Sequence, residues 1–385
     1  MAKAIALLAL LGLIAWVAVW NTTPQARAGY DTLWYARFAY IYSGASEDAA
    51  NDMAWELVTR YGDQAFLSYM EERDGWPWQG FDDPSRERWV GIYQMRPVMP
   101  LVSAAAYPLL GIDAPLAASA LAVVVLVIAA GVALAPVAGS MTALVVVLLS
   151  LINPHASGWL VHLTTDGLGM ALWFAVLAAS APFVTGGGRH WLLAVAGAAL
   201  LLAFTRQTAT IVPLTFGLAT VVAVIGRATV WRRFAALTAA TVPALIIFAV
   251  FSRVANFPSF GDMLQDVPTT HFSRPDVYDP IGFIVDANLR LLPAIVDTFF
   301  RHPVLPLIVG LGIAGFLIRP RWWALPWAIA IATIPLLHVA HPIITGLPRT
   351  VAPAWFSLNL GIGLLVAAAV DLWRRRRVKG TDGPI

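Results

Sequence analysis

Residues 115–136 read PLAASALAVVVLVIAAGVALAP, without one charged side chain. At 1.5 Å per residue, a helix of this length runs about 33 Å, enough to cross a hydrocarbon core about 30 Å thick. Outward from it the same texture recurs at residues 4–20, 141–153, 168–183, 191–204, 208–225, 234–251, 303–318, 323–338 and 351–372. The expectation is an all-α polytopic membrane protein with about ten transmembrane helices, several extending into flanking residues. Residues 98–111 are also apolar, but Pro97, Pro100 and Pro108 interrupt them. They read as a broken or re-entrant helix leading into the next span.

Composition supports the same class. The 385 residues are 59% hydrophobic and 12% charged, with 16 Trp and 26 Pro. Soluble domains carry roughly 25% charged residues, so a water-soluble enzyme and a disordered chain are both excluded. The formal net charge of +3 is scattered among apolar runs, which argues against nucleic acid as a partner. There is no cysteine, hence no disulfide framework, thiol nucleophile or thiolate metal site. Lys3 and Lys379 are the only lysines beside 23 arginines in an Ala-rich chain, which points to a high-GC bacterial source and a plasma (inner) membrane.

Basic residues set the expected orientation. Lys3, Arg189, Arg227, Arg232, Arg233, Arg319, Arg321, Arg374, Arg375, Arg376, Arg377 and Lys379 share one side with only Asp371 and Asp382. That side is cytoplasmic by the positive-inside rule, and with ten crossings both termini lie there. Residues 1–372 form one transmembrane domain with outer loops 21–95 and 252–302, and 373–385 form a basic cytoplasmic tail. Ala26-Arg27-Ala28 resembles a cleavage site, but the run before it is long and tryptophan-bearing, so it reads as an uncleaved first helix.

The non-membrane apparatus therefore faces outward. Residues 47–61, EDAANDMAWELVTRY, place Ala50, Met53, Ala54, Leu57 and Tyr61 at helical spacing behind Ser46, a candidate N-cap. Gly75-Trp76-Pro77-Trp78 and Phe81 carry boundary aromatics, and residues 281–301 are amphipathic. Amphipathic surface helices are expected in both loops. No Gly-rich phosphate loop, HExxH or nucleophile motif stands out, so no cofactor is expected.

Several polar residues lie where apolar runs meet the outer side. Asp31 sits in the aromatic stretch GYDTLWYARFAY, where partial desolvation would raise its basicity and suit a general base; a helix cap or a salt bridge to Arg37 is the structural alternative. His162, Thr165 and Asp166 open a span, with His162 and Asp166 four apart on one expected helix face; capping is the alternative there. Arg206 lies at an outward turn, suited to forked hydrogen bonding of a phosphate or to snorkelling toward headgroups, and Arg96 and Arg349 also lie at outward span edges. His338 and His341 are spaced HxxH. A divalent metal held by them with His162 or an acid is considered and not favoured.

In this order the pieces resemble the GT-C superfamily of integral-membrane glycosyltransferases. The matching parts are Asp31, Tyr35 and Ala36 after the first span, then Arg96-Pro97-Val98-Met99-Pro100-Leu101, Thr165-Asp166, the turn Phe204-Thr205-Arg206-Gln207-Thr208, and Arg349 in a late outer loop. The resemblance covers roughly residues 1–360. It implies inverting transfer of a sugar from a polyprenyl-phosphate donor to a hydroxyl of a glycan, lipid or protein acceptor at the outer face, among membrane lipids. Asp31 would be the base, and Arg206, Arg349 and Arg96 would hold the phosphate. Tyr35, Thr165, Asp166, His162 and His341 would line the substrate. The loop has no Asp-x-Asp, which argues against a metal-dependent variant. A transporter or flippase of a lipid-linked or anionic solute is the rival; it predicts internal repeats and midplane polar residues, and no repeat is visible. A non-catalytic scaffold would instead hold Asp31, Arg206 and Arg349 far apart.

Overall fold

The computed structural model describes Gly12 and residues 27–71, 84–272, 274–342 and 347–381. The expected first span, the aromatic run around Trp76 and Trp78, and Phe81 lie outside the described residues. Within them the regular elements are helical, with one isolated bridge between Ala28 and Gly62.

The chain opens with α1 (Tyr30–Tyr42), α2 (Glu47–Tyr61), α3 (Gln64–Glu71), α4 (Pro84–Gln94) and α5 (Val98–Leu110). A long helix α6 (Leu116–Ala138) follows, with a π-turn over Ala130–Leu134. Next come α7 (Ser140–Ile152), α8 (Pro154–Val161), α9 (Thr165–Val184), α10 (Arg189–Ala203), α11 (Ile211–Ile225) and α12 (Trp231–Val254). The last third holds α13 (Phe260–Gln265), α14 (Pro280–Arg301), α15 (Val304–Ile318), α16 (Leu325–Thr333), α17 (Leu336–Ala340), α18 (Leu347–Val351) and α19 (Ala354–Thr381).

Among the described residues six helices are long and apolar enough to cross a membrane, and up to nine spans result if each of three bent pairs counts as one. The protein is a polytopic helical membrane protein. Ten crossings were expected; the first falls outside the described residues, and α10, at 15 residues, is only about 22 Å long. The bends have one cause. α4–α5 turn by 65°, α7–α8 by 73° and α14–α15 by 85°, and Pro97, Pro154 and Pro303 stand at the three breaks. Each lacks the donor that would continue the helix and pushes its predecessor out of helical geometry. α19 continues through the basic run beyond residue 372, so the tail begins as helix.

α9 is the hub. Its sequence is apolar on every side, and it is correspondingly buried on nearly all of them. At its far end Arg233 donates to the Phe183 carbonyl. About 30 Å of helix therefore separates the arginine-rich end from Asp166 at the start of α9.

α2 matches its expected bounds, and Ser46 accepts a hydrogen bond from the Ala49 amide. Its apolar face is spent on protein rather than lipid: Ala50, Ala54, Leu57 and Val58 bury against Leu33, Ala36 and Tyr40 of α1. α14 has three faces instead. Ile284 turns inward and Asn288 donates to the Val339 carbonyl, while Ile281, Val285, Leu289, Leu292, Val296 and Phe300 are exposed along a stripe. Asp286–Arg290 and Asp297–Arg301 pair along the polar side.

α15 and α19 cross where Gly312 and Gly315 meet Gly361. A Cβ at Gly315 would overlap the Gly361 carbonyl, and one at Gly361 would overlap that of Gly312. Small residues allow this approach, and dispersion rather than hydrophobic transfer holds it within lipid. Gly315→Val should cost about 2 kcal/mol or more by overpacking, read as a lowered thermal midpoint in detergent. An unchanged midpoint would mean the crossing is looser than described.

Candidate functional site

The described end of α1 enters the site through Gly29, whose backbone lies against the His162 ring. Asp31, in the first turn of α1, accepts a hydrogen bond from the Tyr93 hydroxyl of α4 at 2.8 Å. Its other oxygen lies 2.5 Å from Nη1 of Arg349 on α18. Arg349 also forks onto Asp166, with Nε to one oxygen and Nη2 to the other, both at 2.8 Å. Asp166 is 2% exposed, and Thr164 donates to it at 2.5 Å. Arg206, between α10 and α11, pairs with the same Asp166. Arg96 donates to the Tyr35 hydroxyl at 3.0 Å and to Gln207 at 2.9 Å, and Thr165 donates to the same Tyr35 oxygen at 3.3 Å.

Residues 31, 35, 96, 165, 166, 206 and 349 thus form one buried network drawn from five parts of the chain. Asp31 does not pair with Arg37, which instead bonds Asn51 and Glu47. Nor do His162 and Asp166 share a helix face. α8 ends at Val161, Thr164 caps α9, and the extended backbone at His162 and Thr164 breaks the helix. His162 packs against Trp159 at 5.4 Å between ring centroids, and the Arg349 guanidinium lies over Trp159. His341 reaches Asp266, at 3.7 Å, while His338 is buried apart from it. Among the described residues no group of three His or acidic side chains is disposed to hold a metal ion.

The electrostatics depart from the expectation for Asp31. Burial does work against its charge, but Arg349, the Tyr93 hydroxyl and Arg96 outweigh it and bring the carboxyl from 3.8 down to about 2. At rest it is an ionised hydrogen-bond acceptor with low proton affinity. His162 is pulled down to about 4, by burial first and then by Arg349, so it is neutral near pH 7. Burial, then Arg349 and Arg96, work against the charge of Arg206. Three guanidiniums face two carboxylates here, which leaves one positive charge in a site mostly closed to water. An anion would relieve that excess.

Gly169, one turn into α9, makes room for Arg206: a Cβ there would stand 2.8 Å from its Cδ. Gly169→Ala should displace the guanidinium and lower any anion-dependent activity, by up to ~10²-fold if the shift approaches 1 Å. Titration with undecaprenyl phosphate checks this, and unaltered binding would remove Gly169 from the site.

Sequence reasoning missed Tyr93, Thr164, Gln207 and Trp159. Gln207 and Thr164 adjoin residues that were singled out. Tyr93 carried one usable signal, its position three residues before Arg96 in an outer loop. No family model, curated protein or solved structure matches the chain.

Proposed function

We propose that the protein is an inverting glycosyltransferase of the GT-C type, moving a sugar from a polyprenyl-phosphate donor to an acceptor hydroxyl at the outer face of a bacterial plasma membrane. The observation that carries this reading is Arg349, which bridges Asp31 and Asp166 beside Arg206. One uncompensated positive charge suits a phosphodiester, which brings one negative charge. The forked guanidiniums suit its oxygens. The site lies at the end of α9 remote from Arg233, and the positive-inside rule supports an outward-facing reading of that end.

In this reading Arg349, Arg206 and Arg96 neutralise the phosphate as it leaves, which is transition-state stabilisation by fixed charge. The donor phosphate competes with Asp31 for Arg349. Released from that pairing, the Asp31 carboxylate gains proton affinity and accepts the proton of the acceptor hydroxyl. That oxygen attacks the anomeric carbon, the bond to phosphate breaks with its electron pair going to phosphate, and one displacement inverts configuration.

Protein in nanodiscs, given farnesyl- and undecaprenyl-phosphate sugars with octyl glycosides as acceptors, should release the polyprenyl phosphate and form an inverted glycoside. No cleavage across the panel, together with movement of a lipid-linked or anionic solute across proteoliposomes, would overturn the reading in favour of transport.

A further inference from the structure

A second cluster of titratable groups borders the network just described. Asp266, immediately after α13, is 5% exposed. One of its oxygens lies 2.9 Å from Nδ1 of His271 and the other 3.7 Å from Nδ1 of His341. His271 stands in the middle of Thr270-His271-Phe272, three consecutive non-glycine residues with φ of 55°, 58° and 60°. Left-handed backbone is costly for such residues and persists only where the surroundings hold it. Here they do: the His271 amide donates to the Asp266 carbonyl at 2.8 Å and the Phe272 amide to the Thr269 hydroxyl at 2.9 Å. Phe272 is buried under Arg88, which also grips Asp262 and Asp276. The turn fixes one imidazole by its Nδ1 and leaves that side chain half exposed.

The ring lies 6.4 Å from Trp89, which packs edge-on against Tyr93 at 5.3 Å, the tyrosine bonded to Asp31. The charged and titratable groups facing it are Asp266 from its own segment, His341 beyond α17, and Asp31 from α1. Once the phosphate has left and Arg349 pairs with Asp31 again, the carboxyl returns to its low resting affinity, so the proton must pass to a group of greater affinity.

We propose that Asp266 and His271 form a second proton-handling centre, through which the acceptor's proton passes from Asp31 to water; this rests on the glycosyl-transfer reading. Solvent water carries the proton from Asp31 to Nε2 of neutral His271, the Asp266 carboxylate stabilises the imidazolium, and bulk water then removes the proton, restoring the starting state. His271 is a relay and positioning residue, since it acts through Asp31. The bond to Asp266, opposed by burial, raises its affinity above the ordinary histidine value. Transfer therefore requires His271 neutral and rises with pH through a midpoint above 6.5.

His271→Asn is the informative variant, because asparagine tolerates the left-handed turn and its amide can still meet Asp266. It should lower the plateau rate by on the order of 10²-fold and abolish the acid limb, with imidazole added to His271→Ala restoring rate. Diethylpyrocarbonate, which attacks neutral imidazole, gives a readout independent of turnover. Labelling of His271 should have a midpoint above that of a free histidine peptide, and Asp266→Asn should lower it toward the peptide value. No donor cleavage by the parent protein would overturn the glycosyl-transfer reading and this proposal together. Cleavage whose acid limb survives in His271→Asn, or a His271 labelling midpoint no higher than that of the free peptide, would overturn this proposal alone.

Discussion

Asp31→Asn should reduce transfer by on the order of 10³-fold while keeping the fold and binding the donor at least as tightly as the parent, since the competitor for Arg349 is gone. The amide is nearly isosteric and can still accept from Tyr93, and Arg349 keeps its fork onto Asp166. What is lost is the ability to take a proton. The stability effect has a definite sign. The Asp31 carboxyl is depressed from 3.8 to about 2, so its pairing with Arg349 contributes fully above the unfolded value and is lost as pH falls toward 2. Thermal midpoints of the parent and Asp31→Asn should therefore differ modestly at pH 7 and converge between about pH 4 and 2. Near-normal turnover in Asp31→Asn would remove this residue from the chemistry.

Arg349→Gln is expected to damage both binding and stability. Losing a charge-assisted contact to phosphate should cost about 2 kcal/mol, roughly thirtyfold in donor affinity. It also strands Asp31 and leaves Asp166 dependent on Arg206 and Thr164. Breaking a buried pair costs about 3–5 kcal/mol, and the low end applies because a quarter of the Arg349 side chain is open to solvent. Adding Asp31→Asn should recover part of the stability and none of the activity. That split is the signature of a residue serving both structure and ligand. If Arg349→Gln binds undecaprenyl phosphate as the parent does, the phosphate lies elsewhere.

Much of the architecture was legible because transfer to lipid is a local property. The runs that became α6, α9, α11, α12 and α19 are readable from composition alone, and Pro97 marked its break. Other features depended on tertiary context. The apolar faces of α2 and of residues 281–301 looked alike in sequence, yet one buries against α1 and the other presents a bare stripe. The candidate residues could be named at their outward turns, but their connections could not. Arg37 was the near neighbour of Asp31 in sequence, and Arg349 took its place from more than three hundred residues away. The depressed carboxyl follows from that distant partner, so reasoning from aromatic neighbours alone gave the wrong sign. Asp266 and His271 carried no motif; only a turn with three left-handed residues brings them together.

The glycine crossing has a mechanical consequence. Backbone touches backbone there, so neither strut can slide or tilt without the other, and α15 with α19 behaves as a single rigid lever. Any relative movement of the helices has to be absorbed outside this crossing, and the 85° bend at Pro303, where α14 turns away from α15, is a break in the same strut that backbone contact does not lock.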